Sequence, residues 1–285
     1  MKKSSTGCLP FTLFAATGIV FWTTLSRRWK RIPVATERLK LLGVPVDTLT
    51  MPEALARMEE FIHSRMPHHI FTADASGIMR TQEEPELLAI VRQADLVTPD
   101  GAGALIAANL QGVRLPERVS GVDLVDRLSR LSAEKGYRIY LFGAAEEVAD
   151  AAAEVLKSRY PQLVIAGTRN GFFSADDEET IVREIAAAKP DILFVALGIP
   201  KQEMFIRRHF AALGVPVMIG VGGSFDVISG RLQRAPHWMQ RLGLEWLYRL
   251  IQEPARLPRA AVLPRFIVAA WKERPFHRRD AKSQR

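Results

Sequence analysis

The sequence predicts an α/β fold in which a mostly parallel sheet is covered by helices on both faces. Short apolar runs alternate with longer amphipathic segments from about residue 41 onward. Several of the short runs are continuous in Val, Ile, Leu and Phe, as expected for strands that are buried on both faces. Pro or acidic residues open several amphipathic segments, which is typical of helix N-termini. Strand–helix alternation of this kind indicates βαβ units.

The predicted elements follow one another with short connections. The predicted strands are Leu41–Val46, His69–Thr72, Asp95–Thr98, Arg138–Phe142, Leu163–Ala166, Ile192–Leu197 and Val215–Val221. The predicted helices are Pro52–Ser64, Pro85–Gln93, Val122–Lys135, Glu146–Arg159, Asp176–Ala188 and Lys201–Leu213.

The composition is that of an ordinary globular protein. The 285 residues include 48% hydrophobic and 25% charged side chains, which excludes wholesale disorder. The length allows one large domain or two small ones. A single cysteine, Cys8, excludes a disulfide framework and a Cys-rich zinc site, and it fits a reducing cytosolic compartment.

The charge divides the chain into three parts. Residues 1–40 carry a net charge of +7 and residues 231–285 carry +9, so that residues 41–230 carry −8 of the total of +8. We therefore expect a leader at 1–40, an α/β core at 41–230 and a basic helical appendage at 231–285. Basic ends attract phosphate groups of nucleic acids, lipids or substrates. The alternative is that they are solvated tails.

The leader contains a candidate membrane anchor. Residues 7–25 form an uncharged stretch of 19 residues between two lysines and a stronger basic cluster. This length just reaches the ~17–25 residues that span a bilayer. The downstream basic cluster favours a body on the cytoplasmic side. An interfacial or disordered leader is the alternative.

Small and polar residues follow five of the predicted strands. They lie at 72–74, 99–103, 143–145, 198–203 and 222–226. Ligands of such sheets bind at the carboxyl ends of the strands, where glycine allows close approach of the backbone. Gly143 and Gly198 are thus candidate substrate-binding positions. The pattern favours a nucleotide pocket, although a glycine can also simply make a turn.

Several familiar motifs are missing from the sequence. It contains no G-x-G-x-x-G after a strand, no Walker motif and no G-x-S-x-G. Together with the lack of a Tyr-x-x-x-Lys pair, this argues against a nucleotide-sugar epimerase or dehydrogenase. A non-catalytic module that binds nucleic acid or another anion is the other class. The acidic body and the lack of an aromatic β-platform argue against nucleic acid as a partner.

The polar residues at the strand ends each allow two interpretations. Asp100 could be a general base if desolvation raises its pKa, or it could cap the next helix. Asp74 and Asp226 allow the same two roles. Gln202 could hydrogen-bond a base or a sugar, or only cap a helix. Arg118 could clamp a phosphate or form a surface ion pair.

Five segments together resemble the WecG/TagA/CpsF family of bacterial glycosyltransferases. The resemblance extends from about Leu41 to Phe266 and rests on the segments 99–101, 117–124, 198–203, 220–226 and 234–250. It implies a Rossmann-like α/β core and a C-terminal appendage that meets the membrane. The implied reaction moves an N-acetylmannosamine-type sugar from a UDP donor to undecaprenyl-diphosphate-linked N-acetylglucosamine, with no metal or other cofactor. The implied product is a β-1,4-linked disaccharide lipid for cell-surface glycan synthesis.

The resemblance also implies roles for individual residues. Asp100 would be the general base that deprotonates the acceptor 4-hydroxyl, and Thr72 would lie in the same pocket. The remaining implied contacts are Gln202 and Asp226 with the donor nucleotide, Arg118 near the substrate, and Arg249, Arg256 and Arg259 with the diphosphates. The donor within this family could also be another UDP-hexose or a UDP-uronic acid.

One residue departs from the pattern of the family. Its members usually carry Thr-x-Asn where this chain has Thr72-Ala73-Asp74. Asp74 keeps a hydrogen-bond acceptor but loses the amide donor. A second carboxylate near Asp100 would raise one of the two pKa values, so we expect a different donor sugar or pH optimum.

The appendage has the composition of an interfacial element. Basic and aromatic residues at helical spacing suit an anionic membrane surface. The apolar residues concerned are Trp238, Leu242, Leu244, Trp246, Leu247, Leu250, Ile251, Val262, Phe266, Ile267 and Trp271. Packing of the Trp and Leu side chains on the core is the alternative. The expected partners are therefore a UDP-sugar, a polyprenyl-diphosphate-linked acceptor and the cytoplasmic membrane surface, and the sequence leaves a homo-oligomer open.

Overall fold

A six-stranded parallel sheet lies at the centre of the computed structural model, which describes residues 38–254 and 261–273. The strand order is β4-β3-β8-β7-β5-β6, and every neighbouring pair is parallel. The strands are β3 (His68–Ala73), β4 (Leu96–Pro99), β5 (Arg138–Gly143), β6 (Val164–Arg169), β7 (Ile192–Ala196) and β8 (Val217–Gly220). Helices flank this sheet, so the predicted α/β fold is confirmed.

The helices connect successive strands and extend into the C-terminal region. In the body they are α1 (Met51–Ser64), α2 (Ala75–Glu83), α3 (Pro85–Arg92), α4 (Gly101–Leu110), α5 (Gly121–Lys135), α6 (Val148–Arg159), α7 (Glu178–Ala188), α8 (Lys201–Arg208), α9 (Phe210–Leu213) and α10 (Ser224–Ile228). The C-terminal helices are α11 (His237–Arg241), α12 (Glu245–Gln252) and α13 (Val262–Lys272).

Local sequence explains where the longer helices begin and end. Thr50 caps α1 in a reciprocal capping box with Glu53, and Ser120 caps α5 by accepting from the Asp123 amide. Gly136 ends α5 in the left-handed conformation that glycine adopts without strain. The start of α5 lies beside the end of β4, because the Val119 amide donates to the Pro99 carbonyl.

The first predicted strand, Leu41–Val46, is wrong. These residues belong to a separate antiparallel hairpin of β1 (Arg38–Leu41) and β2 (Val44–Asp47). Leu42 and Gly43 both have positive φ, 49° and 80°, as a two-residue hairpin turn requires. The apolar residues on both sides of the turn make the segment look like one continuous strand.

Four further helical segments of the core differ from prediction. The predicted helix at 201–213 is interrupted at His209, and α2, α4 and the short α10 were not predicted. α4 is almost uniformly small and apolar, so it has little amphipathic periodicity. α2 and α4 begin directly after a candidate site carboxylate, Asp74 or Asp100.

The last helix is part of the core. α13 packs against α2 and α4, and its Phe266 and Ala270 are fully buried. Gly103 leaves the space for this contact, since a Cβ there would lie 3.0 Å from Leu263 Cδ1. The prediction that Phe266 faces a membrane is therefore wrong.

Other apolar side chains of the appendage do face outward. Trp238, Leu242, Trp246 and Ile251 are exposed, as is Trp271 at the end of α13. No helix in the described ranges is long and apolar enough to cross a bilayer. The candidate anchor at 7–25, Arg256 and Arg259 lie outside the described residues. The boundaries at 40 and 230 stay predictions.

Candidate active site

A cavity of about 350 Å³ opens at the carboxyl ends of β3, β4, β7 and β8. The loops after these strands form its floor and walls, as the position of glycines and carboxylates predicted. α12 and α13 add Glu245, Trp246, Arg249, Leu250 and Leu263 to its lining. The cavity therefore has one wall from the α/β body and one from the C-terminal helices.

Asp100 lies at the end of β4 and lines this cavity. It occupies the N-cap position of α4, but its side chain does not cap that helix. Instead, its Oδ2 accepts a hydrogen bond of 3.1 Å from the amide of Gly121 at the start of α5. The second oxygen makes no hydrogen bond with the described residues. This geometry favours the general-base interpretation over the cap.

The environment of Asp100 raises its pKa. Desolvation by burial is the largest cause, repulsion by Asp74 adds to it, and the Gly121 hydrogen bond and the charges of Arg118 and Arg249 oppose it. The resulting pKa of about 6 exceeds the ordinary value of 3.8. A carboxylate with this pKa is largely ionised at pH 7 and is a stronger base than an ordinary aspartate.

Asp74 has a structural role beside Asp100. Its Oδ1 accepts a 2.6 Å hydrogen bond from the Gly77 amide and so caps α2. It also lines the cavity, and its charge reaches Asp100. The predicted electrostatic effect of Asp74 on Asp100 is therefore present, with Asp100 as the carboxyl whose pKa is raised.

We expect Asp74→Asn to move the pH dependence of catalysis. The wild-type kcat/KM should rise with pH to a plateau with a midpoint of about 6, because the base must be ionised. Asparagine can still cap α2 but removes the repulsion, so the midpoint should move to lower pH. Rate profiles from pH 4.5 to 8 with both proteins test this. An unchanged midpoint would show that Asp74 does not influence the catalytic titration.

Arg118 belongs to a charge network that joins the body to the appendage. Its guanidinium donates to Glu245 at 2.7 Å and lies 3.7 Å from Asp123. Arg234 contacts the same two acids, at 2.7 Å from Asp123 and 3.7 Å from Glu245. Arg118 is thus a partly buried residue that lines the cavity with its charge largely balanced, and its predicted contact with the substrate stays a prediction.

Arg249 faces the cavity from α12 and differs from Arg118 in having no such partner. Within residues 38–254 and 261–273, its guanidinium makes no hydrogen bond or ion pair. Its charge nevertheless lowers the pKa of Asp100. A half-buried guanidinium that faces a cavity and forms no ion pair within the described ranges is suited to an anionic ligand.

Gln202 and Thr72 lie at the floor of the cavity with their polar atoms already in use. Gln202 Oε1 accepts from the amides of Gly198 and Gly222, both at 3.1 Å. Thr72 Oγ1 donates to the Gly220 carbonyl at 2.9 Å. Both residues line the cavity as predicted, and direct contact of Gln202 with the donor stays a prediction.

Two candidate residues lie outside the cavity lining. Gly143 packs on the end of β7, where a Cβ would overlap the Ala196 backbone, and its φ is 117°. The need for glycine at that position is therefore explained by strand packing. Asp226 lies on α10, and its predicted contact with the donor nucleotide stays a prediction.

Sequence reasoning did not single out Glu245, Arg234 or Glu203 as site residues. Glu245 and Arg234 lie in the recognised segment at 234–250, yet only the fold brings them to Arg118. Glu203 follows Gln202 and is fully buried. The sequence signal that could have found all three is that each is a charged residue within a segment that resembles the family.

The fold and the cavity define an α/β protein with a carboxylate of raised pKa and a cavity-facing arginine at the carboxyl edge of its sheet. The chain belongs to the WecG/TagA/CpsF family of glycosyl transferases, whose family model matches residues 39–280. It is therefore a glycosyltransferase.

Individual relatives carry more specific names. The chain is 35% identical over 215 residues to a Bacillus subtilis strain 168 protein, covering 75% of this chain and 83% of that protein. It is 32% identical over 234 residues to a Staphylococcus aureus MW2 protein, covering 81% and 91% respectively. Both relatives are named N-acetylglucosaminyldiphosphoundecaprenol N-acetyl-beta-D-mannosaminyltransferase.

Proposed function

We propose that this protein transfers N-acetylmannosamine from a UDP donor to undecaprenyl-diphosphate-linked N-acetylglucosamine. The names of its relatives specify this sugar and this acceptor. The observation that carries the proposal on this chain is Asp100, a cavity-lining carboxylate with a free oxygen and a pKa of about 6. The product would be a β-1,4-linked disaccharide lipid used in cell-surface glycan synthesis.

The proposed reaction is a single inverting displacement. Asp100 removes the proton of the acceptor 4-hydroxyl as that oxygen attacks the anomeric carbon of the donor sugar. The bond from the anomeric carbon to the diphosphate oxygen breaks, and UDP leaves with the electron pair. Arg249 supplies positive charge to the cavity in which the diphosphate charge develops. Asp100 then releases its proton to solvent.

The lipid acceptor requires the protein to work at a membrane surface. Trp238, Leu242, Trp246 and Ile251 are exposed on the C-terminal helices, and Trp246 also lines the cavity. Aromatic side chains mixed with arginines suit the headgroup region of an anionic bilayer. We therefore place the enzyme on the cytoplasmic side of the cell membrane, with these residues toward the lipid.

A donor screen tests the proposed function. Purified protein is given each of several UDP-sugars with a short-chain lipid-diphosphate N-acetylglucosamine acceptor, and disaccharide and UDP are quantified. We expect UDP-N-acetylmannosamine to give the highest kcat/KM. A higher value for a UDP-hexose or UDP-uronic acid would change the donor assignment. A protein that binds RNA in competition with UDP and forms no disaccharide would be an anion-binding module.

We expect catalysis to continue without a divalent metal. The sequence has no Asp-x-Asp motif to hold a metal on a diphosphate. In the proposed site, arginine supplies the positive charge instead. Activity in excess EDTA should remain within about twofold of the untreated rate. This change is far smaller than the ~10²–10⁴-fold loss that removal of a general acid or base causes. Complete loss of activity that Mn²⁺ or Mg²⁺ restores would contradict this expectation.

A further inference from the structure

Three buried polar side chains form a chain of contacts beneath the cavity. Glu203 is fully buried, Gln202 is 1% exposed and His69 is 5% exposed. Gln202 and Glu203 lie in the first turn of α8, and His69 lies on β3. The proposed reaction uses neither Glu203 nor His69, so their burial requires another explanation.

The contacts run from His69 to the loops of the cavity. His69 Nε2 is hydrogen-bonded to Glu203 Oε2. Glu203 Oε1 accepts from Gln202 Nε2 at 3.0 Å. Gln202 Oε1 accepts from the amides of Gly198 and Gly222 at 3.1 Å each. Both the oxygen and the nitrogen of the Gln202 amide therefore have hydrogen-bond partners.

The chemistry of Glu203 fixes which way the Gln202 amide points. Its Oε1 accepts from Gln202 Nε2, so the amide NH₂ group faces Glu203. The amide oxygen is then left to accept from both glycine amides. A reversed amide would place its NH₂ group against two backbone N–H groups and leave all of these donors without an acceptor.

The two glycine amides belong to different loops. Gly198 follows β7 and Gly222 follows β8, with φ values of 75° and 50°. Both glycines line the cavity. One amide oxygen that accepts from both N–H groups holds the two loops at a fixed separation. Gly220 lets this happen, because a Cβ there would overlap Glu203 and Gln202.

These loops form one wall of the cavity, at the carboxyl ends of β7 and β8. In the sheet, these strands are three and two positions from β4, the strand that ends at Asp100. Ligands of parallel α/β sheets bind at such strand ends, where glycine lets a ligand approach the backbone closely. We therefore assign the UDP part of the donor to the wall formed by Gly198 and Gly222.

We propose that Glu203, held by His69, is a positioning residue for donor binding: it orients Gln202 so that its amide oxygen fixes the separation of the Gly198 and Gly222 loops. This inference rests on the proposed function, because it assigns that wall to the UDP part of the donor. It concerns the pair behind Gln202 and does not require Gln202 to contact the nucleotide.

A pair of single variants and their combination tests the proposal. Glu203→Gln removes the acceptor-only partner, and Gln202→Glu places two carboxylates side by side. The double variant Gln202→Glu/Glu203→Gln exchanges the two groups along the same chain of contacts. A carboxylate would then accept from both glycine amides, and the neighbouring amide would donate to that carboxylate. Asp191→Asn is the matched control, because Asp191 is a buried carboxylate that pairs with Arg65 and the Arg138 amide.

The measurements are UDP affinity by calorimetry, KM for each substrate, kcat and Tm. We expect each single variant to weaken UDP binding and raise the donor KM about tenfold, the effect of ~1.4 kcal/mol, with little change in the acceptor KM. The double variant should bind UDP within about threefold of wild type. Asp191→Asn should lower Tm without changing either KM.

Three outcomes separate the inference from the proposed function. UDP binding by Glu203→Gln that equals that of wild type would overturn the inference. Weak binding by the double variant, in a protein whose Tm equals that of wild type, would also overturn it, since the exchanged pair keeps the loops tied. Failure of the wild-type protein itself to bind UDP would instead contradict the proposed function.

Discussion

Asp100→Asn is expected to lower kcat by about 10²–10⁴-fold, the usual effect of removing a general base. Asparagine has nearly the same shape and can still accept from the Gly121 amide, so the cavity should keep its geometry. UDP affinity should stay within about threefold of wild type. Single-turnover rates with saturating donor and acceptor, compared with calorimetric UDP binding, test both parts of this expectation.

Asp126→Asn provides the control for this substitution. Asp126 of α5 pairs with Arg159 at the end of α6 and does not line the cavity. Its loss should leave kcat unchanged. If Asp100→Asn turns over within about threefold of wild type, Asp100 is not the base and another group must accept the proton.

The raised pKa of Asp100 also predicts that Asp100→Asn stabilises the protein at neutral pH, although it lowers activity. A raised pKa means that the folded protein binds this proton more tightly than the unfolded chain does. The stability associated with Asp100 is therefore greatest below pH 3.8 and is lost as pH rises through about 6. At pH 7.5, Asp100→Asn should raise Tm, whereas Asp126→Asn should not. Higher stability together with lost activity would show that the protein keeps this buried carboxylate for function at a cost in stability.

Arg249→Ala is expected to lower kcat/KM by about 10²-fold, since a hydrogen bond to a charged group contributes ~1.5–3 kcal/mol. Arg249→Lys keeps the charge but loses the planar fork that binds a phosphate with two parallel hydrogen bonds, so we expect it to restore only part of the activity. A soluble acceptor without a long lipid removes membrane recruitment from the measurement. The removal of a nearby positive charge in Arg249→Ala should also raise the midpoint of the pH profile.

Arg241 is the matched control for Arg249. It is an exposed arginine of the same C-terminal region and does not line the cavity. Arg241→Ala removes the same charge, so it should weaken binding to anionic vesicles by a similar amount while keeping kcat/KM on the soluble acceptor. Full activity of both Arg249 variants on that acceptor would mean that Arg249 only attracts the membrane. The predicted roles of Arg256 and Arg259 can be tested in the same assay.

The sheet was predictable because its strands have a simple signal. Segments such as Ile192–Ala196 are buried on both faces and therefore read as continuous apolar runs. The hairpin at 38–47 was not predictable in this way, because its turn lies inside an apolar stretch. α4 was missed because alanine and glycine give no contrast between a buried and an exposed face.

The location of the site was predictable, whereas the state of its side chains was not. Carboxyl ends of parallel strands meet at one edge, so Thr72, Asp100, Gly198 and Gln202 were expected together, and all four line the cavity. Whether Asp100 caps α4 depends on a hydrogen bond to Gly121, 21 residues away. The pairing of Arg118 with Glu245 likewise spans 127 residues, a distance over which spacing carries no information.

The stereochemistry of one transfer tests the central claim most directly. The protein is incubated with α-linked UDP-N-acetylmannosamine and a short-chain lipid-diphosphate N-acetylglucosamine, and the disaccharide is analysed by NMR. A single displacement assisted by Asp100 predicts a β-1,4 linkage formed in equal amount to UDP. An α-linked product, or UDP released without any disaccharide, would contradict it.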